Sequence, residues 1–110
     1  MDTEKGISPR VNSARLANFV GQEVRLPCKT LRIDGSRVTV EASDGGQVNV
    51  QALPNTDISE TYIEVLGRVK DASTVQMLAC INLGPNLDMK LVNDTIELIH
   101  DPRFYSKMFS

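Results

Sequence analysis

Residues 31–50 read LRIDGSRVTVEASDGGQVNV, and the period of two in that stretch decides the fold. Val38, Val40 and Ala42 alternate with Arg37, Thr39 and Glu41, the pattern of a strand with one buried face. Asp34-Gly35 ahead of them signals a hairpin, because glycine adopts the backbone angles a two-residue turn needs. Asp44-Gly45-Gly46 supplies a second turn, after which Val48, Val50 and Ala52 continue the alternation. Upstream, Val24 and Leu26 alternate with Arg25 until Pro27, which lacks a ladder amide and predicts a bulge or an edge. Leu31 and Ile33 resume in shifted phase. Downstream, beyond the loop Pro54-Asn55-Thr56-Asp57, residues 62–70 carry Ile63, Val65 and Val69 on one face. Gly67 interrupts that face, as expected where a strand coils sharply or another backbone comes close. Val75, Met77, Ala79, Ile81 and Leu83 give a fifth strand with one apolar face, ended by Gly84-Pro85.

Five short strands joined by turns suit a small closed antiparallel barrel, and the interruptions at Pro27 and Gly67 bend strands around its corners. The class is all-β with flanking helices: a five-stranded OB-fold barrel followed by a C-terminal α-helix. An SH3-like barrel explains neither the long first strand nor the helix that follows. Before the barrel, Asn12 can cap one or two helical turns that end at Gly21, and Leu16 and Phe19 must dock on the barrel. The expected organisation is a flexible lead-in over residues 1–9, a barrel with its short N-terminal helix over 10–84, and an oligomerisation helix and tail over 85–110.

Composition narrows the functional classes. A chain of 110 residues makes one domain. Its 41% apolar and 24% charged residues exclude a disordered tail, a fibre and a disulfide miniprotein. A net charge of −2 is no electrostatic magnet for phosphate, and 5% aromatic residues without Trp argue against a broad base-stacking platform. No apolar run is long enough to span a membrane, and the first ten residues have no signal-peptide core, so an intracellular chain is the expectation. Cys28 and Cys80 are too far apart for a Cys-x-x-Cys clasp, and a zinc site would need His100 plus an acidic residue to complete it. Neither a metal nor a cofactor is expected, and the two thiols read as buried and reduced.

Residues 87–100 contain no Pro or Gly and predict a helix capped by Asn86. At roughly 100° per residue, Leu87, Leu98, Leu91, Thr95, Ile99, Val92, Ile96 and Met89 cover an arc of about 200°. His100, Asn93, Glu97, Lys90 and Asp94 fill the rest. A helix lying on one barrel needs an apolar stripe of only about 100°, so this one implies two partners. The tail adds Phe104, Tyr105, Met108 and Phe109.

These residues resemble a known family, the smallest subunits of replication protein A, the eukaryotic heterotrimer that coats single-stranded DNA. The resemblance runs from Arg10-Val11-Asn12, with Leu16, Phe19 and Val20, through Ser43-Asp44-Gly45 and Ile63-Glu64-Val65 with Gly67 and Val69. It ends at Leu98-Ile99-His100-Asp101 with Pro102, Phe104 and Tyr105. One residue usual in the family between the Asp and the Pro is missing here. The resemblance implies that the C-terminal helix joins one helix each from the large and middle subunits in a three-helix bundle. It also implies a nuclear role in DNA replication, repair and recombination. Partner-binding candidates are Leu87, Leu91, Val92, Thr95, Leu98, Ile99, Phe104 and Tyr105, with Met89 and Ile96 against the barrel or at the seam.

Direct DNA contact has thinner support. Arg25, Lys29, Arg32 and Arg37 lie on or near the first hairpin, and Arg68 and Lys70 on the fourth strand. They can line a groove for phosphate, yet Phe19 and Tyr62 do not clearly join them as stacking surfaces. The barrel is therefore expected to be mainly structural, with weak phosphate contacts, and single strands to be held mainly through the other subunits. No nucleophile neighbours His100, and Asp44-Gly45-Gly46 lacks the Lys-Ser/Thr of a phosphate loop, so no catalysis is expected. Two alternatives share the barrel: the small subunit of a telomere-capping trimer, and an autonomous module that binds oligonucleotide or oligosaccharide.

Overall fold

The computed structural model describes residues 8–102. Within them the chain forms β1 (Glu23–Asp34), β2 (Arg37–Ala42), β3 (Gln47–Gln51), β4 (Tyr62–Asp71), β5 (Thr74–Gly84) and α1 (Met89–Ile99). The strands close into a barrel in the order β1-β2-β3-β5-β4. This is the expected five-stranded OB-fold with a C-terminal helix, corrected in one respect: the closing seam is parallel. Chain direction reverses at every turn, so β3 and β5, separated in sequence by one strand, run the same way where residues 49–51 meet 74–76.

The alternation read from residues 37–50 holds. Val38, Val40, Ala42, Val48 and Val50 are buried, facing Val24, Leu26, Ile63, Val65 and Met77 across the interior. Turn glycines explain the reversals: Gly35 and Gly45 have φ of 64° and 90°, a region that side chains with a Cβ avoid.

The bulge in β1 falls at Leu31 rather than at Pro27. Pro27 stays in register opposite Glu64, while the β1–β2 pairing slips between Thr30 and Arg32. Amide directions alternate along a strand, so Pro27 faces the same side as Arg25, whose amide reaches the Pro9 carbonyl at 2.9 Å. On that side the bridge to Arg10 has ended and pairing with β2 starts only at Cys28, so no donor is missed. After the slip, Leu31 and Ile33 stand at the exposed end of the hairpin.

A second slip corrects the reading of β5. Opposite Leu66 and Gly67 the partners are Ala79 and Met77, so Leu78 is the extra residue. Val75 and Met77 point inward, then Cys80 takes the interior position, and Ala79, Ile81 and Leu83 are turned outward. Gly67 behaves as expected for a close approach: a Cβ there would collide with Val75 and lie 2.6 Å from the Gln76 carbonyl oxygen.

Ahead of the barrel, Ser13–Phe19 forms a 3-10 helix, with Leu16 buried and Phe19 against the core. Asn12 does not cap it. Asp44, from the β2–β3 turn, does so instead: its carboxylate accepts the amides of Ser13 and Ala14 at 3.3 and 3.0 Å and lies 2.9 Å from the Ser13 hydroxyl. The C-terminal helix begins at Met89 rather than Leu87. Asp88 caps it in place of Asn86, accepting the Leu91 amide at 3.0 Å.

Candidate partner-binding helix and barrel faces

How α1 sits on the barrel departs from the helical wheel. Its fully buried side chain is Ile96, and the residues that bond to the barrel side are polar. Asn12, itself 1% exposed, donates through Nδ2 to Asn93 Oδ1 at 2.8 Å and to Glu97 Oε2 at 2.7 Å. Arg15 forks onto the same carboxylate, Nη2 to Oε1 at 2.7 Å and Nε to Oε2 at 3.1 Å. Ser43 donates to Asn93 at 3.0 Å. His100 Nε2 lies 2.8 Å from the Arg10 carbonyl, which can only accept, and its ring meets Phe19 in a T-shaped contact at 5.7 Å.

The bond from Arg15, followed by that from Asn12, holds the Glu97 carboxyl below the usual range. Asp44 is also held low: partial burial opposes ionisation, but the Ser13 hydroxyl and the amides of Ala14, Gly46 and Ser13 outweigh it. Thus Asn93, Glu97 and His100, which on the wheel fall outside the apolar arc, are what the barrel grips. The segments that carry the family resemblance, around Arg10-Asn12, Ser43-Asp44 and His100, converge in this one clasp.

Gripping the polar side leaves the apolar side open. Leu91 and Leu98 are 62% and 51% exposed, Thr95 is exposed, and Leu87, Val92 and Ile99 are half-buried. Thr95 turns its hydroxyl back onto the Leu91 carbonyl at 2.9 Å, which satisfies its donor within the helix. Of the two residues expected against the barrel, Ile96 is buried and Met89 half-buried. Phe104 and Tyr105 lie outside the described residues.

Between α1 and the barrel runs a groove of about 330 Å³, lined by Pro27, Leu83, Leu87, Leu91, Val92, Thr95 and Ile96. Arg10 and Glu64 complete it, joined Nε to Oε2 at 2.7 Å, with the Glu64 side chain only 6% exposed. Outward on β5, Leu78 and Ile81 are 41% and 52% exposed. Reading β5 as having one inward face hides these residues. The signal that reveals them is the slip at Leu78, which depends on barrel curvature rather than on local sequence.

The six cations do not form one groove. Lys29, Arg32 and Arg37 share the outer surface of the β1–β2 hairpin, opposite Glu41, Thr39 and Asp34 respectively. Arg37 also borders a recess of about 310 Å³ with Asn49, Gln51 and Thr74. Arg25 lies beyond Pro27, opposite Leu66. Arg68 is engaged by Glu23 at 3.4 Å and by the Gly21 carbonyl at 3.0 Å, and Lys70 is exposed near the end of β4. Tyr62, which in sequence stands apart from the basic set, is the register partner of Lys29. Phe19 is turned to His100 instead. A larger recess of about 550 Å³, between the hairpin tip and the loop carrying Asn55, Thr56 and Asp57, has no basic residue in its lining and does not suit phosphate.

Among the described residues no group of three or more His, Cys, Asp or Glu is placed to hold a metal ion. Burial, followed by the proximity of Cys80 and Glu64, pushes the Cys28 thiol up, and burial and then Asp57 push up Cys80, so both are protonated at neutral pH and poorly nucleophilic. Among the described residues no helix is long and apolar enough to cross a membrane.

The model of the family described as Replication factor A protein 3 matches residues 1–105. A Replication protein A 14 kDa subunit of Arabidopsis thaliana is 30% identical over 88 residues, 80% of this chain and 82% of that protein. A chain in the structure of U. maydis Replication protein A bound to ssDNA superposes with a TM-score of 0.83 at 30% identity, covering 94% of this chain and 95% of that one. The telomere capping protein Ten1 from Schizosaccharomyces pombe shares the fold, with a TM-score of 0.66 at 12% identity over 83% of this chain and 95% of its own.

Proposed function

This chain belongs to the Replication factor A protein 3 family, and from that premise we propose that it is the small structural subunit of a heterotrimeric single-stranded-DNA-binding complex. Its large and middle subunits attach along the open flank of α1, in a bundle of three helices. The observation that carries this reading is the direction of the helix: polar residues face home while Leu91 and Leu98 are 62% and 51% exposed.

Magnitudes favour a permanent complex. Full burial of each leucine is worth about 1.5–3 kcal/mol, whereas association costs roughly 4–15 kcal/mol. The flank alone breaks even at best. Only an extended contact that also covers the groove beside Pro27 and Leu83 meets that cost. Leu87, Val92, Thr95 and Ile99 complete the contact.

The DNA in the U. maydis assembly's description supports single-strand binding as the work of the whole complex. In this subunit Lys29, Arg32 and Arg37, with Tyr62 beside Lys29, add weak phosphate contacts; Arg25, Arg68 and Lys70 contribute less. The setting is the nucleus, in replication, repair and recombination, and the subunit has no catalytic role. The likeness to Ten1 at 12% identity speaks for a shared fold, so telomere capping is not the favoured reading.

Leu91→Asp with Leu98→Asp tests the assignment. The double variant loses co-purification with the large and middle subunits while its β-rich circular dichroism is retained. Normal recovery of the complex overturns the reading.

A further inference from the structure

Building on that assembly reading, we propose that Asn12, Arg15, Asn93 and Glu97 are positioning residues for partner binding: their clasp fixes the rotation of α1 about its own axis, and so decides which flank the partners meet. A single buried side chain, Ile96, lets a cylinder roll on the surface beneath it. Asn93 and Glu97 sit one turn apart on the same side of α1, and both are held by Asn12. A third grip comes three residues on, where His100 holds the Arg10 carbonyl at 2.8 Å. Three hold-points strung along the axis leave no freedom to roll.

A rotation of about 100°, one residue's worth, would carry the Leu91 flank out of line with the groove. Breaking the clasp is opposed by burial, since Asn12 is 1% exposed and its Nδ2 would lose both acceptors. The clasp also reaches the groove: the carbonyl of Arg10 is held by His100, and its guanidinium is bound to Glu64 at the groove. An eleven-residue helix is marginal in isolation, so the groove exists only while α1 is docked.

The test uses the full chain with its cognate large and middle subunits. Glu97→Ala removes the shared acceptor of Asn12 and Arg15. If the docked fraction falls to a tenth, the dissociation constant for the partners rises about tenfold. Arg15→Ala, which spares the Asn12 bond, raises it about threefold. The charge swap Arg15→Glu with Glu97→Arg recovers only part of the affinity, because it restores the ion pair while an arginine at 97 cannot accept from Asn12 Nδ2. Amide exchange in α1 quickens in Glu97→Ala while the melting of the barrel strands stays put, which separates positioning from stability. Should Glu97→Ala fail to fold, Glu97→Gln, whose single oxygen still accepts from Asn12 but cannot take the Arg15 fork, raises the constant about threefold and quickens α1 exchange. Unchanged affinity in the folded clasp variants, alongside failure of the Leu91→Asp/Leu98→Asp chain to assemble, overturns this proposal and leaves the assembly reading intact. Assembly of that double variant overturns the assembly reading itself.

Discussion

Replacing Gly67 by alanine places one methyl where β4 and β5 come closest. The added carbon collides with the Val75 side chain and stands 2.6 Å from the Gln76 carbonyl oxygen. Normal contact there needs more than 3 Å, and a backbone oxygen inside a paired ladder has nowhere to retreat. Overpacking of this kind costs about 2–3 kcal/mol, toward the upper end of the usual range because backbone must shift. At roughly 4–6 °C per kcal/mol for a domain of this size, the melting temperature drops by about 8–18 °C. Thermal unfolding followed by far-ultraviolet circular dichroism reads the change directly. On a Val75→Ala background, where one collision is gone and the carbonyl contact stays, Gly67→Ala costs less than it does alone but still lowers the melting temperature. A Gly67→Ala chain that melts within about 2 °C of the unsubstituted protein refutes the argument.

Other outcomes follow from individual groups. Asp44→Ala removes the acceptor that caps the 3-10 helix, and urea unfolding should show a loss of about 1 kcal/mol; an unchanged midpoint contradicts the cap. Glu97 has its folded pKa depressed, so its contribution to docking is complete above the unfolded value, about 4.3, and is lost as pH falls through the lower folded value. Amide exchange in α1, corrected for intrinsic pH dependence, should gain speed only in that acid window; acceleration beginning near neutrality rules this out. Cys28, buried and with its thiol pushed up, should resist a thiol reagent at pH 8 until the barrel unfolds, and fast labelling at Cys28 in a native Cys80→Ser chain disproves its placement.

How far the chain is readable before its structure depends on whether a signal is local. Val38, Val40, Val48 and Val50 announce the interior by alternation, and Asp34-Gly35 announces the hairpin, because each feature is set by a handful of adjacent residues. The slip at Leu78 is set by the closure of the whole barrel and no neighbouring residue marks it, whereas the slip at Leu31 shows in the sequence only as the phase shift after Leu26, which points as readily to Pro27. The wheel of α1 puts Ile96 on the barrel and Leu91 and Leu98 away from it, but misses the polar residues that dock beside Ile96. It ranks faces by apolarity, whereas Asn93 and Glu97 dock because Asn12, Arg15 and Ser43 wait for them 50 to 85 positions away in sequence. Asn12 reads as a cap for the same reason: its local partner is visible in sequence and its distant ones are not. The polar residues shared by the dispersed family segments are the available clue, since they have no common purpose until folded.

The parallel contact of residues 49–51 with 74–76 is the shortest stitch in the ring. Elsewhere β4 is fastened along most of its length to β1 and β5. A ring sewn so briefly at one place unbuttons there first under thermal agitation, parting β3 from β5 while the wall that bears α1 stays whole. Exchange of the Asn49 amide, bound to the Ser73 carbonyl at 2.8 Å, should therefore outpace that of Val65. The molecule can breathe on one flank without loosening its hold on α1.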